Sequence, residues 1–384
     1  MVVEQLPLDA RPAVVVGQAL TPEAGSRAGM TLRVSLEDLL ADAQHCLSAL
    51  ALGPGPRELY QQLVDKEEVI QNLLMYRRSS LHYWLFDRFP GMWGPRGWPS
   101  WTCFERAKHS PLKLRVGGEV PPPERPLTLA LVTPSFQQAP FLQATLRSVQ
   151  DQRYPWLDYF VQDGGSRDGS VGILRDWPGG LRWESRPDQG QTQAINRAFQ
   201  NVQGEVMGWL NSDDLLLPGA LNYIARFFLE HPEIDVVYGH RVMIDREGRE
   251  IGRWVMPPHR DDILSWGDLI PQETLFWRRQ LWERVGGLDE TFQFAMDWDL
   301  LLRFRDAGAR FALLPRFLGG FRVHRAQKTS STLLTVGRRE MDRLRLRSLG
   351  RKVSDAEIFE ATVSYYRRAK LEHLLYRLGL RRIE

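Results

Sequence analysis

Cysteine is nearly missing from this chain: Cys46 and Cys103 are the only two in 384 residues, far apart and without a Cys-x-x-Cys spacing. That excludes a disulfide framework, suggests no zinc cluster, and fits a reducing cytoplasm. Long apolar runs are also lacking, since none approaches the ~20 residues needed to cross a bilayer. The start, Met1-Val2-Val3-Glu4-Gln5-Leu6-Pro7, has an early acid and no basic stretch before an apolar one, so the layout of a secretory signal is not there. The net charge of +3 is too small to argue for nucleic acid as a partner. No repeat or low-complexity tract is evident. What is present is an ordinary globular composition, 43% hydrophobic, in a chain long enough for two domains or for one with substantial additions.

Proline marks the main boundary. Val120-Pro121-Pro122-Pro123-Glu124-Arg125-Pro126 opposes both helix and central strand, so residues 121–126 read as a linker. Before it, residues 1–120 read as mainly helical, with Leu59, Leu63, Val69, Leu73 and Leu74 among charges. After it, strand and helix patterns alternate. Residues 128–133 are β-like; Phe141, Leu142, Leu146 and Val149 recur at helical spacing; residues 159–161 are β-like; Ala194, Ile195, Ala198, Phe199 and Val202 mark another helical face. Such alternation predicts a mostly parallel sheet flanked by helices. Around Asp245-Arg246-Glu247-Gly248 two strand-like stretches predict an appended hairpin. Residues 332–384 read as a basic helical region, with Arg338, Arg339, Arg343, Arg345, Arg347, Arg351 and Lys352 in one block and Arg367, Arg368, Lys370, Arg377, Arg381 and Arg382 in another. These are either solvated helix faces or a surface drawn to an anionic leaflet, with Trp84, Trp93, Trp98 and Trp101 as further interfacial candidates.

Acids cluster where strands should end. The apolar run 205–210 leads into Asn211-Ser212-Asp213-Asp214, and the strand through 158–162 leads into Asp163-Gly164-Gly165-Ser166-Arg167-Asp168-Gly169-Ser170. Carboxylates at a strand's exit give a hard divalent cation its oxygen ligands at the edge where open α/β folds bind ligands. Taken alone, an Asp-Asp pair is as readily a turn or a helix cap. Further motifs follow in order: Pro187-Asp188-Gln189-Gly190-Gln191, Pro271-Gln272-Glu273, Phe294-Ala295-Met296-Asp297-Trp298-Asp299 and Phe321-Arg322-Val323-His324.

With the opening Leu131-Val132-Thr133-Pro134-Ser135-Phe136, this ordered set resembles the family 2 glycosyltransferases of the GT-A fold over residues 127–331. The resemblance implies a metal-dependent inverting transferase that takes a nucleotide-sugar donor, UDP-linked by preference, and a saccharide or lipid-linked saccharide acceptor. It implies Mn2+ or Mg2+ held by Asp213, Asp214 and His324, with Asn211, Asp213 and Arg322 on the donor. Asp163 would meet the uracil, and Asp188 is either a nucleotide contact or a helix cap. Asp297 would be the general base, the role a positioned carboxylate fills toward a hydroxyl whose pKa is far above neutrality. Gln272, Glu273 and Trp298, with Trp277, are candidates for the acceptor wall, while Asp299 reads as a cap or structural group. Asn211 stands where many relatives carry the first acid of an Asp-x-Asp pair, so the site has one charge fewer. Two readings compete: a sugar-phosphate nucleotidylyltransferase, against which the loop Pro134-Ser135-Phe136-Gln137-Gln138 lacks the basic glycine-rich character, and a non-catalytic binding or scaffold protein of the same fold.

Overall fold

The computed structural model describes residues 120–324, 327 and 336–384. The expectations for residues 1–119, including the helix over 59–76 and the four tryptophans, and for Arg325 and Lys328 beside His324, lie outside the described residues.

Residues 120–128 contain neither helix nor strand, and the Val120 carbonyl accepts a hydrogen bond from Asn222. The elements then run β1 (Leu129–Ser135), α1 (Ala139–Gln150), β2 (Leu157–Asp163), α2 (Ser170–Arg175), β3 (Trp183–Ser185), α3 (Gln191–Phe199), β4 (Val206–Trp209), β5 (Leu215–Leu216), α4 (Ala220–Glu230), β6 (Val236–Ile244), β7 (Glu250–Trp254) and α5 (Asp261–Leu264). A 3-10 turn at Gln272–Thr274 precedes β8 (Phe276–Arg278), α6 (Arg279–Val285), α7 (Met296–Asp306), β9 (Phe311–Arg322), α8 (Arg338–Leu349) and α9 (Asp355–Arg377).

One sheet holds all nine strands in the order β3-β2-β1-β4-β8-β6-β9-β5, with β7 on β6. Its first half is parallel, β3 to β2 to β1 to β4. Its second half is mixed: β6 and β9 run parallel, whereas β8 runs antiparallel to both β4 and β6, and β5 runs antiparallel to β9. The expectation of a mostly parallel sheet therefore holds for one half, because alternation along the chain is a local signal and β8 enters the sheet between strands that the chain visits earlier. The hairpin is present, with β6 and β7 antiparallel about the turn that follows Asp245.

Helices cover both faces, which is why β1 is apolar over its first four positions and buried throughout. Ala130 and Val132 look to a core with Ile195, Trp209, Trp277 and Phe304, whereas Leu129 and Leu131 look to one with Val149, Ile224 and Phe228. Helix α1 buries Phe141, Leu142, Thr145, Leu146 and Val149, the stripe its spacing predicts, and starts with a proline in its first turn, where no donor is lost. Helix α9 opens with a complete capping box, Ser354 with Glu357. No helix among the described residues is long and apolar enough to cross a membrane.

Candidate active site

The parallel strands end level, with Ser135 opposite Asp163 and Asp163 opposite Ser185. Each exit therefore delivers its loop to the same edge. Asp163 is fully buried and accepts hydrogen bonds from the amides of Gly165 (2.9 Å) and Ser166 (2.8 Å) and the hydroxyls of Ser166 (2.5 Å) and Ser185 (2.7 Å). A carboxylate offers about four acceptor positions. Three of these bonds fall on Oδ2 and one on Oδ1, and through them Asp163 builds the loop. Asp168 does likewise, accepting from the amides of Ala139 and Ser170 and from the Ser170 hydroxyl. Those bonds hold its carboxyl below the usual range, although partial burial opposes them.

The result is a rigid lip. Gln137 donates its amide to Ser166 Oγ, and the adjacent Phe136 is turned out with 59% of its surface exposed. Asp188 accepts from the Gly190 amide and lies against Gly164, where an added Cβ would fall 2.8 Å from an Asp188 carboxylate oxygen and 3.2 Å from the Phe136 ring. A side chain at Gly164 would push the Asp188 carboxylate and the Phe136 ring outward. Phe136 was not singled out from sequence, and its signal was a large aromatic just beyond a buried strand.

Across β4 the site is more densely wired. Asn211 donates to Gln272 (2.9 Å), accepts from Gln191 (2.7 Å) and reaches toward Asp214 (3.4 Å), while Gln272 donates to the Trp209 carbonyl (2.8 Å). Gln272 thus ties Asn211 to the backbone at the end of β4, one end of its amide on each, rather than facing an acceptor. Strand β5 pairs with Gly319 and Gly320 of β9, which brings Asp213 and Asp214 to the end of β9. There His324 Nε2 lies 3.0 Å from Asp213 Oδ2, with the imidazole 4.5 Å from the Phe141 ring.

Asp213 and Asp214, indistinguishable in sequence, differ here. Asp214 is 1% exposed and accepts from the Arg322 amide (2.9 Å), with its carboxyl pushed well up by burial and by Asp213 and Glu273 nearby. It shapes the turn. Asp213 keeps 13% of its side chain exposed. Arg322 is buried and donates to the carbonyls of Asp213, Asp245 and Arg246, so its guanidinium fixes the metal-candidate turn and is not aimed at a diphosphate.

Among the described residues no group of three His, Cys, Asp or Glu is placed to hold a metal. Asp213 and His324 are two. That number suits a hard cation completed by substrate phosphate oxygens and water, the usual way such an ion is held with only one or two protein carboxylates.

Glu273 is 1% exposed and forms a two-pronged ion pair with Arg241, which packs between the rings of Trp254 (5.1 Å) and Phe321 (4.3 Å). It therefore has no face for an acceptor. Gly319 permits the pair, since a Cβ there would meet Glu273 Cγ at 2.5 Å. Burial pushes the carboxyls of both Asp214 and Asp268 well up, and the Arg241 charge opposes that rise in part at each, so it serves two acidic neighbourhoods at once.

Asp268 leads to the candidate base. Its Oδ1 is shut off from solvent with no hydrogen-bond partner, and its carboxyl is pushed well up, first by burial and then by the charge of Asp297. Asp297 stands in the first turn of α7, half-buried, with Oδ1 accepting the Trp298 amide. The loop before it is gripped by Glu340 of α8, which accepts the amides of Gln293 (2.8 Å), Phe294 (2.8 Å) and Ala295 (2.9 Å). Trp298 turns away from the site: it is fully buried and donates its indole N–H to the Leu264 carbonyl (2.7 Å). Trp277 is likewise core, against Trp209 and Trp282. Neither ring is available to a sugar. Asp299 is structural, held by Arg303 and Arg347. Asp268, Arg241 and Glu340 had no motif around them to single them out.

A sheet whose parallel half ends in acidic loops, joined to a second half that returns a histidine to them, has the form of the GT-A transferases. Its overall likeness to S. aureus TarS in complex with UDP-GlcNAc, at a TM-score of 0.50 and 17% identity over 63% of this chain and 72% of that one, agrees in fold. Residues 130–282 match the sequence model of Glycosyl transferase family 2. The chain is 32% identical over 189 residues to the O-antigen biosynthesis protein RfbC of Myxococcus xanthus, a match covering 48% of this chain and 15% of that protein. It is 29% identical over 180 residues to an uncharacterized glycosyltransferase of Mycobacterium tuberculosis, covering 46% of this chain and 68% of the other.

Proposed function

We infer that the protein moves a sugar from a nucleotide-sugar donor, UDP-linked, to a hydroxyl of a saccharide or lipid-linked saccharide, with inversion at the anomeric carbon and with Mn2+ or Mg2+ as cofactor. The observation that carries this is the Asp213–His324 pair, 3.0 Å apart at the open edge of the sheet beside Asn211. A divalent cation held there would neutralise the charge that builds on a departing diphosphate. The base lies in the lip formed by Phe136, Gly164 and Asp188, and Asn211 faces the ribose or the sugar. Asp297 takes the acceptor's proton as the acceptor oxygen attacks the face opposite the nucleotide, so an α-linked donor yields a β-linkage. Asp268 supports this role as a second acid beside the proposed base, its own carboxyl pushed well up by burial and by the charge of Asp297. The O-antigen role of the Myxococcus relative supports a polysaccharide or glycolipid product.

Thermal unfolding with UDP, GDP and dTDP, each with and without Mn2+, tests the donor half, since a bound ligand raises apparent stability by mass action. UDP with metal is expected to give the largest rise, and no rise with any nucleotide would sink the reading. Asp297→Asn tests the other half. It is expected to keep the UDP response and lose about 10²–10⁴-fold in transfer, the usual worth of a general base.

A further inference from the structure

Three carboxamides run in a chain across the site, and only one sense of that chain is possible. Gln272 donates through Nε2 to the Trp209 carbonyl at 2.8 Å and accepts through Oε1 from Asn211 Nδ2 at 2.9 Å. Asn211 Oδ1 in turn accepts from Gln191 Nε2 at 2.7 Å. A backbone carbonyl accepts and never donates, so Gln272 must turn its NH2 to Trp209 and its own carbonyl to Asn211. Asn211 must then give its NH2 to Gln272, which leaves its carbonyl for the NH2 of Gln191. One fixed acceptor at the end of β4 thus sets two amides and selects the end that the third offers.

The anchors of this relay are themselves held. The Asp214 amide donates to the Asn211 carbonyl (3.1 Å), and the Thr145 hydroxyl of α1 donates to the carbonyls of Ser212 (2.9 Å) and Asp214 (2.8 Å). Gln272 is buried in the 3-10 turn, where its own carbonyl accepts the Leu275 amide (3.1 Å). Gln191 opens α3, three residues after Asp188 of the lip. The relay therefore joins the mixed half of the sheet to the lip by way of β4.

An acid at position 211 does not fit this polarity. A carboxylate there would set an oxygen against the Gln272 carbonyl with no hydrogen between them, and turning Gln272 over would set carbonyl against carbonyl at Trp209. Either choice strands a buried acceptor. It would also add a charge beside Asp214, whose Oδ2 lies 3.4 Å from Asn211 Nδ2 and whose buried carboxyl is already pushed up, with Asp213 and Glu273 adding to the effect of burial.

We propose that Gln191 and Gln272 are positioning residues for the transfer, which hold the Asn211 carboxamide in one sense across the donor site and require position 211 to be an amide rather than an acid. The donor role rests on the glycosyltransferase reading, in which Asn211 faces the ribose or the sugar. The polarity of the relay does not.

Gln272→Glu tests the polarity. A protonated carboxyl of the same shape donates to the Trp209 carbonyl and accepts from Asn211, whereas the ionised form cannot donate. Burial raises the folded pKa of such a group above its unfolded value of about 4.3, so the relay is kept at low pH and lost as pH rises. Without ligand, the thermal midpoint of this variant is expected to match wild type at about pH 5 and to fall several degrees below it by about pH 8. Asn211→Asp is expected to lower the midpoint as well, and to bind Mn2+ without nucleotide no more than about twofold tighter than wild type. Gln191→Met cuts the relay at its donor end. It is expected to keep the midpoint within about a degree and to weaken UDP binding in the presence of Mn2+ on the order of tenfold, a split that a merely structural glutamine would not give.

The proposal is overturned by an offset of Gln272→Glu from wild type that does not change with pH, or by undiminished UDP binding in Gln191→Met. An Asn211→Asp protein as stable as wild type and with much tighter Mn2+ binding would overturn it too. Wild-type protein that answers to no nucleotide would sink the transferase reading and the donor role with it, while the pH offset would still decide the polarity of the relay.

Discussion

The two halves of the sheet hold their charges by different rules. In the parallel half, carboxylates are closed by their own loops: Asp163 binds residues two and three positions on, and Asp188 binds Gly190. In the mixed half the partners come from far along the chain, Arg241 from Glu273, Asn211 from Gln272, and Asp213 from His324. Local closure makes a loop stiff by itself. Distant closure makes the site depend on the whole sheet having formed, so damage there should spread further.

The largest expected effect therefore lies at Arg241. Arg241→Met strands the buried Glu273 carboxylate without its cation, and removal of one partner of such a pair typically costs about 3–5 kcal/mol. Urea unfolding should show that loss, and Arg241→Met/Glu273→Gln should recover much of it. A single variant as stable as wild type would break the comparison.

Next in size is the contrast between two aspartates. Asp163→Ala leaves the Gly165 and Ser166 amides without their acceptor, costing about 1–3 kcal/mol for each unsatisfied group that stays buried, and it should weaken UDP binding with or without Mn2+. Asp213→Ala should weaken UDP binding chiefly when the metal is present. Titrations of both variants at two metal concentrations separate the roles, and equal metal dependence would remove Asp213 from the cation site.

The smallest effect is one of pH. Burial holds His240 of β6 down to about 3 and His373 of α9 down to about 4, against about 6.5 in the unfolded chain. With depressed folded values, both contributions are whole above pH ~6.5 and are lost as pH falls toward those values, because the unfolded state takes up the protons first. The raised carboxyl of Asp268 works with the opposite sign. His373→Gln should therefore flatten the decline of the thermal midpoint between pH ~6.5 and ~4, and an unchanged slope would assign the decline to other groups.

The same division between near and distant partners separates what was legible in the sequence from what was not. Strands β1, β2 and β4 and helices α1 and α3 declared themselves through period and burial, and the acidic loops through their place after strands. The reversal at β8 was invisible, because strand direction is decided by pairing rather than by the residues of the strand. Roles given to single side chains fared unevenly for a related reason. Arg322 and Glu273 carry the right charge for a ligand, yet each is satisfied by groups brought from elsewhere in the fold. Trp298 beside two acids suggested a sugar platform, although Trp298, Leu301, Leu302 and the neighbouring buried positions already trace the inner face of a helix.

Glu340 gives the boundary at residue 331 a different meaning. Its carboxylate gathers three successive amides just ahead of Met296 and Asp297, so the turn that presents the proposed base is finished by a helix lying beyond the domain that the sequence marks out. A chain still under synthesis, with its first 331 residues out, would have every acid proposed for the chemistry and still lack the group that sets one of them in place. Competence would arrive only with the last helices.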